Sequence, residues 1–281
     1  MKLSELKHKT EQREKTAFYA SDVFKPILDL YFSFKGTEPT NPPDWYETLK
    51  WGAGKGVEEA MLKVLKDSGV VPEDYDQKEH GRIEIEREGI RINGYIDAKT
   101  KDGLPIEIKS INNKNQFDIQ KYEEGYPREN YVGQLAVYMD ALGVSRGYLF
   151  VSSIDGLNRF LFECNKIGER KYKCKNTEVD LDKEYKRWSK LYNGNIDKSI
   201  VPKPTEYIYK VPIDEIDWGK VSKTDISKAR NGQKVIGGKD SWRITYSPWK
   251  DLILQMQGVA VGYTAEEIEK IKSLTKGYSA K

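Results

Sequence analysis

Asp97 closes the stretch Gly94-Tyr95-Ile96-Asp97, and across a short polar turn follows Ile106-Glu107-Ile108-Lys109. The turn Lys101-Asp102-Gly103-Leu104-Pro105 carries the Asp-Gly signal of a β-hairpin. Alternate residues of a strand share a face. Glu107 and Lys109 are therefore expected to project together, Ile106 and Ile108 to face a core, and Asp97 to lie near Glu107. Two carboxylates and one ammonium so placed suit a divalent cation and a phosphodiester. Asp97 and Glu107 would bind the ion through their side chains, the carbonyl of Ile108 could add a ligand, and Lys109 would sit beside the reacting phosphate.

A third acid, Glu58, stands in Gly54-Lys55-Gly56-Val57-Glu58-Glu59-Ala60-Met61. On a helix it shares a face with Met61, Leu62 and Leu65, whereas Glu59 aligns with Lys63 and Lys66 as half of a surface ion pair. An acid on an apolar face is costly unless compensated, and a cation would compensate it. The plainer alternative is a carboxylate complementing the helix dipole. Gln134 and Tyr138, in Tyr131-Val132-Gly133-Gln134-Leu135-Ala136-Val137-Tyr138, share a helical face beside Leu135, Met139 and Leu142. An amide and a phenol there can reach a phosphate or a metal-bound carboxylate; alone they would read as a helix boundary between core and solvent. Glu84 and Glu86 alternate as cheaply as Glu107 and Lys109, so the triplet gains its weight from the company of the other positions.

These positions need elements to hold them. Residues up to about Phe34 read as helical, and Gly36-Thr37-Glu38-Pro39-Thr40-Asn41-Pro42-Pro43 as a loop, because clustered prolines forbid a helix. A helix is expected from near Gly56 to Asp67, before Ser68-Gly69. Alternation predicts strands at 82–86 and 90–92, then the hairpin, a helix over 131–142 ending at Gly143, and strands at 147–151 and 160–162. An amphipathic helix over 181–192 puts Leu181, Tyr185, Trp188 and Tyr192 on one face. A polar helix is expected from Thr264. Helices and strands in this order predict an α/β or α+β core with a mixed sheet.

The chain has 281 residues, 38% of them hydrophobic, with a net charge of +3. No apolar run spans a bilayer and no signal-peptide pattern opens the chain, so a cytoplasmic location is expected. Two cysteines, Cys164 and Cys174, cannot make a four-thiolate metal site or a disulfide framework. The net charge does not announce nucleic-acid binding, so attraction must be local. Between Lys220 and Arg243 seven basic residues stand against two acids, and Trp242, Tyr246 and Trp249 lie close by. Lys114, Lys121 and Arg128 form a second basic group. Basic groups beside aromatics suit a nucleic-acid strand, through phosphate contacts and base stacking. The residues Gly52-Ala53-Gly54-Lys55-Gly56 lack the frame of a phosphate-binding loop.

Taken in order, Gly54-x3-Glu58, Asp97, Glu107-Ile108-Lys109 and Gln134-x3-Tyr138 resemble the motif series of the PD-(D/E)XK nucleases, nearest the RecB-type and phage lambda-type exonucleases. The resemblance covers roughly residues 50 to 150. It implies a restriction-endonuclease-like core, a central mixed sheet flanked by helices. One nuclease domain would run over 1–281, with its catalytic core at about 50–165, a helical region at 1–49 and a basic, aromatic extension at 200–281. It further implies a Mg²⁺- or Mn²⁺-dependent DNA exonuclease of phage or bacterial recombination or repair, working alone or with a separate recombination or helicase partner. Glu58, Asp97 and Glu107 would be the ligands, Lys109 the base or charge stabiliser, and Gln134 and Tyr138 would position substrate or catalytic groups. Many RecB-type members have histidine where this chain has Glu58, which resembles the phage version. The iron–sulfur cluster that some relatives hold with four cysteines is excluded by ligand count. Trp242, Tyr246 and Trp249 are expected to clasp the chain ends in its place. The rival readings are a junction-resolvase-like endonuclease with the same centre, and an inactive DNA-binding protein on the same fold.

Overall fold

A computed structural model of the chain describes residues 15–43, 45–112, 116–202, 212–232, 236, 247–256 and 263–277. The chain divides into two compact units. The first holds the described residues 15–25 together with Pro43–Ile200, and the second holds Pro26–Pro42 together with the described residues from 201 onward.

The first unit is mixed α/β, as the alternation of helical and strand patterns predicts. Its larger sheet has six strands in the order β4 (Ala98–Lys99), β5 (Pro105–Ile111), β6 (Arg146–Ser153), β7 (Arg159–Gly168), β8 (Lys171–Cys174) and β9 (Thr177–Asp180). Only β5 and β6 run parallel, with Glu107 opposite Leu149 and Ile108 opposite Phe150; the other pairs are antiparallel. A separate three-stranded sheet sets β3 (Ile90–Tyr95) between β1 (Phe18–Tyr19) and β2 (Arg82–Arg87). Helix α2 (Trp45–Asp67) sends Met61, Leu62 and Leu65 onto a core of Val71, Tyr75, Ala98, Ile106 and Ile108, the apolar face foreseen for β5. Helix α5 (Glu129–Leu142) buries Leu135, Val137 and Met139 and ends on Gly143 in the left-handed conformation. Helix α6 (Leu181–Leu191) buries Leu181, Tyr185 and Trp188, whose indole stacks on Phe18 at 4.8 Å. Tyr192, expected on the same face, begins a π-turn instead.

Three expectations change. The first residues are not helical up to Phe34: residues 1–14 lie outside the described residues, and β1 and a 3-10 turn over Ala20–Asp22 precede α1 (Ile27–Phe34). Helix α2 starts at Trp45, not near Gly56, because helical geometry tolerates Gly52, Gly54 and Gly56 at about 1 kcal/mol each relative to Ala. Gly54 has a packing reason, since a β-carbon there would stand 2.8 Å from the Ser110 hydroxyl oxygen on β5. The hairpin is also cut. Gly94 and Tyr95 belong to the three-stranded sheet, and only Ala98 and Lys99 pair with Ile106 and Pro105. Asp97 therefore sits where the chain passes from one sheet to the other.

A buried carboxylate fixes the turn after β1. Asp22 accepts the Tyr19 N–H at 2.9 Å and pairs with Lys15 at 3.0 Å and Lys25 at 2.9 Å. Burial alone would push its carboxyl up, but the Lys25 and Lys15 ammoniums and these hydrogen bonds hold it below its ordinary value. Its contribution to stability is therefore present above the unfolded-state value of about 4 and is lost as pH falls through the lower folded value. Urea midpoints measured across that window should fall less steeply for Asp22→Asn than for the parent.

In the second unit, α1 buries Leu28, Leu30, Phe32 and Phe34. The proline-rich stretch after it is a loop, as expected. Asn41 N–H donates to the Pro248 carbonyl at 2.8 Å, and the Ser247 hydroxyl donates to Asp29 at 2.6 Å. Trp249, 4% exposed, donates its indole N–H to the Thr37 carbonyl at 2.9 Å and packs on Phe32. Further along, α7 (Lys223–Arg230) and α9 (Ala265–Leu274) meet around Ile226, Ala229 and Ile271, with α8 (Lys250–Met256) between them in sequence. The polar terminal helix begins at Thr264, where Thr264 and Glu267 form a capping box. Among the described residues, no helix is long and apolar enough to cross a membrane.

Candidate functional site

The site is built around the short length of β4. That strand pairs with β5 only as far as Ile106, so beyond it the edge of β5 has no neighbouring strand among the described residues. Asp97 takes the place of one: its Oδ2 accepts the Ile108 N–H at 2.8 Å. The N–H and C=O of one strand residue face the same edge, which turns the Ile108 carbonyl toward Asp97 as well. Glu107 and Lys109 project together from the other face of β5, and Lys109 Nζ is ion-paired with Glu107 Oε1. Glu58 reaches the group from α2. The Gln77 side-chain amide donates to Glu58 Oε1 at 3.3 Å and to Asp97 Oδ1 at 3.0 Å. The structure thus brings Glu58, Asp97, Glu107 and Lys109 together. Glu59, as foreseen, is half of a surface ion pair, though with Lys55 at 3.9 Å rather than with Lys63, which pairs with Asp67.

Burial sets the electrostatics. Glu107 is 0% exposed, with the Lys109 ammonium against its Oε1. Asp97 is 8% exposed. Burial, then the neighbouring Glu107, push the Asp97 carboxyl well above the ordinary range; Lys109 opposes this and Glu58 adds to it. Burial raises Glu107 too, with Lys109 pulling the other way. Burial works against the Lys109 ammonium, but Glu107 and Asp97 outweigh it and hold the amine protonated beyond its usual range. One ammonium is shared among three carboxylates.

That charge deficit is the test of fit for a hard divalent cation. The donors are carboxylate and carbonyl oxygens, the set that Mg²⁺ and Mn²⁺ prefer, and Glu107 offers a buried Oε2 beyond the Oε1 that faces Lys109. Among the described residues, no three Asp, Glu, His or Cys side chains are already spaced as a closed metal cage. The Gln77 amide stands between two of the acids instead. The residues fit the ion, with Glu58, Asp97, Glu107 and the Ile108 carbonyl as the groups that would hold it.

Around Asp97 the backbone is clamped. Tyr138 donates its hydroxyl to the Tyr95 carbonyl at 2.8 Å and accepts the Gln134 amide at 2.9 Å. Both groups are thus committed to the chain just before Asp97 rather than to open space. Gly94 makes room, since a β-carbon there would lie 2.8 Å from the Tyr138 ring. Next, Ile96 N–H donates to the Gly81 carbonyl at 2.8 Å, and the Tyr75 hydroxyl donates to the Ile96 carbonyl at 2.8 Å. A β-carbon on Gly81 would stand 2.5 Å from the carbonyl oxygens of both Gln77 and Ile96. These are backbone atoms and cannot swing aside. Gly81→Ala is expected to cost about 1–3 kcal/mol of stability, as overpacking does, and to weaken any activity that depends on Asp97; an unchanged melting curve would refute the clamp.

Tyr75, Gln77, Gly81 and Tyr131 carry no assignment from sequence. The Tyr131 ring lies 5.7 Å from Lys109 Nζ and 5.6 Å from the Arg128 guanidinium. Asp76 before Gln77 is a recognisable helix N-cap, accepting from the Lys78 and Glu79 N–H groups at 2.7 and 3.1 Å, but nothing local says that Gln77 meets two acids. The basic residues expected to meet DNA are placed unevenly. Arg128 is ion-paired with Asp118, and Lys121 lies 3.7 Å from Glu124 and over the rings of Phe117 and Tyr126. Lys114, Trp242, Arg243 and Tyr246 lie outside the described residues.

No family model matches the chain, and no curated protein matches it either. Solved structures do resemble it. One, described as the crystal structure of SSO0001, has a TM-score of 0.42 and 14% identity, covering 75% of this chain and 87% of its own. LHK-Exo in complex with dAMP has a TM-score of 0.41 and 17% identity, and the alkaline exonuclease LHK-Exo from Laribacter hongkongensis a TM-score of 0.36 and 16% identity. Each of these two alignments covers 66% of this chain and 89% of the other.

Proposed function

We propose that this chain is a Mg²⁺- or Mn²⁺-dependent deoxyribonuclease that degrades DNA from strand ends. The observation that carries the reading is Glu107: a fully buried carboxylate that shares the Lys109 ammonium with the buried Asp97, with Glu58 beside them. Several acids buried around one ammonium are costly in a fold unless a further cation completes the group. When bound, the ion supplies an activated water and stabilises the oxygen that leaves the phosphorus.

The protein's own groups do the rest. Asp97, held at both oxygens and by the clamped chain just before it, offers a fixed acid of the kind preorganisation requires. Lys109, paired with Glu107, would orient the attacking water and meet the charge growing on the phosphate. Tyr131, half-buried beside Lys109, presents a ring on which a base of an incoming strand could stack. Gln134 and Tyr138 serve as positioning residues, through the Tyr95 carbonyl.

End-labelled linear DNA and closed circles, single- and double-stranded, incubated with Mg²⁺, with Mn²⁺ or with EDTA, test this directly. Linear DNA should disappear from its ends only when the metal is present, and circles should survive. Cutting of closed circles would replace the exonuclease with an endonuclease using the same centre. No digestion with either metal would remove the nuclease altogether.

A further inference from the structure

We infer that Gln77 is a positioning residue for the cation: its amide ties Glu58, on α2, to Asp97, at the junction of the two sheets, and sets the spacing at which both acids meet the ion. This rests on the metal-dependent reading above. One NH₂ group has two protons, enough to serve a carboxylate on each of two elements. Glu58 needs such a tie. It is half-buried, on a flexible side chain, and reaches the site from a separate helix.

The segment that carries Gln77 is itself anchored to the site. Gln77 opens α3 (Gln77–His80), whose start is capped by Asp76. At one end of the segment Tyr75 holds the Ile96 carbonyl, and at the other Gly81 holds the Ile96 N–H. Residues 75–81 therefore grip the residue immediately before Asp97 from both sides. Gln77 cannot shift without Asp97, so the distance between the acids is set by one short piece of chain. The chemistry of the side chain matters as much as its place. A lysine there would neutralise the acids and stand in for the ion, whereas an uncharged amide orders them and leaves their negative charge to be balanced from solution. Hydrogen bonds to ligating carboxylates are worth about 10–100-fold in metal affinity.

Mn²⁺ binding by the full chain, followed by calorimetry and by the electron paramagnetic resonance of free Mn²⁺, tests this without any nuclease assay. The parent should bind. Gln77→Met, of similar size but without the donor, and Gln77→Ala, a good helix former, should each bind about 10–100-fold more weakly. The Gln77→Met effect should shrink in a Glu58→Ala background, because the tie then has one end missing. A parent that binds, with both variants indistinguishable from it, would overturn the role of Gln77 and leave the metal centre standing. A parent that binds no Mn²⁺ would overturn the metal centre itself, and this inference with it.

Discussion

Asp97→Asn and Glu107→Gln are each expected to slow metal-dependent cleavage of DNA by about 10²–10³-fold or more, the scale seen when one preorganised electrostatic group is removed. Both should melt no lower than the parent in EDTA. The two effects have one cause. In the metal-free chain both carboxyls are raised by burial, with their acidic neighbours adding to it at Asp97 and at Glu107. An acid whose folded value is raised contributes stability that is complete below its unfolded value and disappears as pH rises through the folded one. Near neutral pH the metal-free parent therefore bears the cost of these acids, and an amide of the same shape does not. Asn at 97 can still accept the Ile108 N–H. Variants that cleave as fast as the parent would remove these acids from the chemistry. Variants that melt far below it would make them structural.

Trp249→Ala should destabilise the second unit by about 3–5 kcal/mol, the range for deleting a large buried aromatic. Trp249 fills the space against Phe32 and satisfies the Thr37 carbonyl, so its loss leaves both a void and an unpaired acceptor. Trp249→Phe keeps much of the packing and should cost less. Denaturant titration of the full chain, read at the transition of this unit, decides the matter. An unmoved midpoint would show that the joining of residues 26–42 to the stretch around Trp249 owes nothing to this side chain.

What could be read in the chain beforehand followed from local geometry. The alternation of Ile106, Glu107, Ile108 and Lys109 puts two side chains in a core and two beside each other, and they are found there. The four-residue spacing of Gln134 and Tyr138 places them within hydrogen-bonding distance on α5. What could not be read depends on partners distant in sequence. Gly94 and Tyr95 look like the first arm of the hairpin, but they pair with Ile83 and Arg82, and no local pattern distinguishes that choice. Gln77 meets its acids only because the chain returns to Ile96. Arg128 and Lys121 pair with Asp118 and Glu124, partners that a count of basic residues does not show. The start of α2 was hidden by glycines that usually punctuate helices.

The passage from β3 to β4 has a bearing on how this scaffold can be altered. Extra residues spliced into the turn after Lys101 would lengthen an exposed loop and leave both sheets as they are. A single residue added beside Ile96 would rotate every later side chain of that arm by half a turn, swinging the Asp97 carboxylate off the Ile108 N–H and out of reach of Gln77. Between the two sheets, length is therefore not a free parameter, and a lineage built on this frame can grow at its turns but not at its seam.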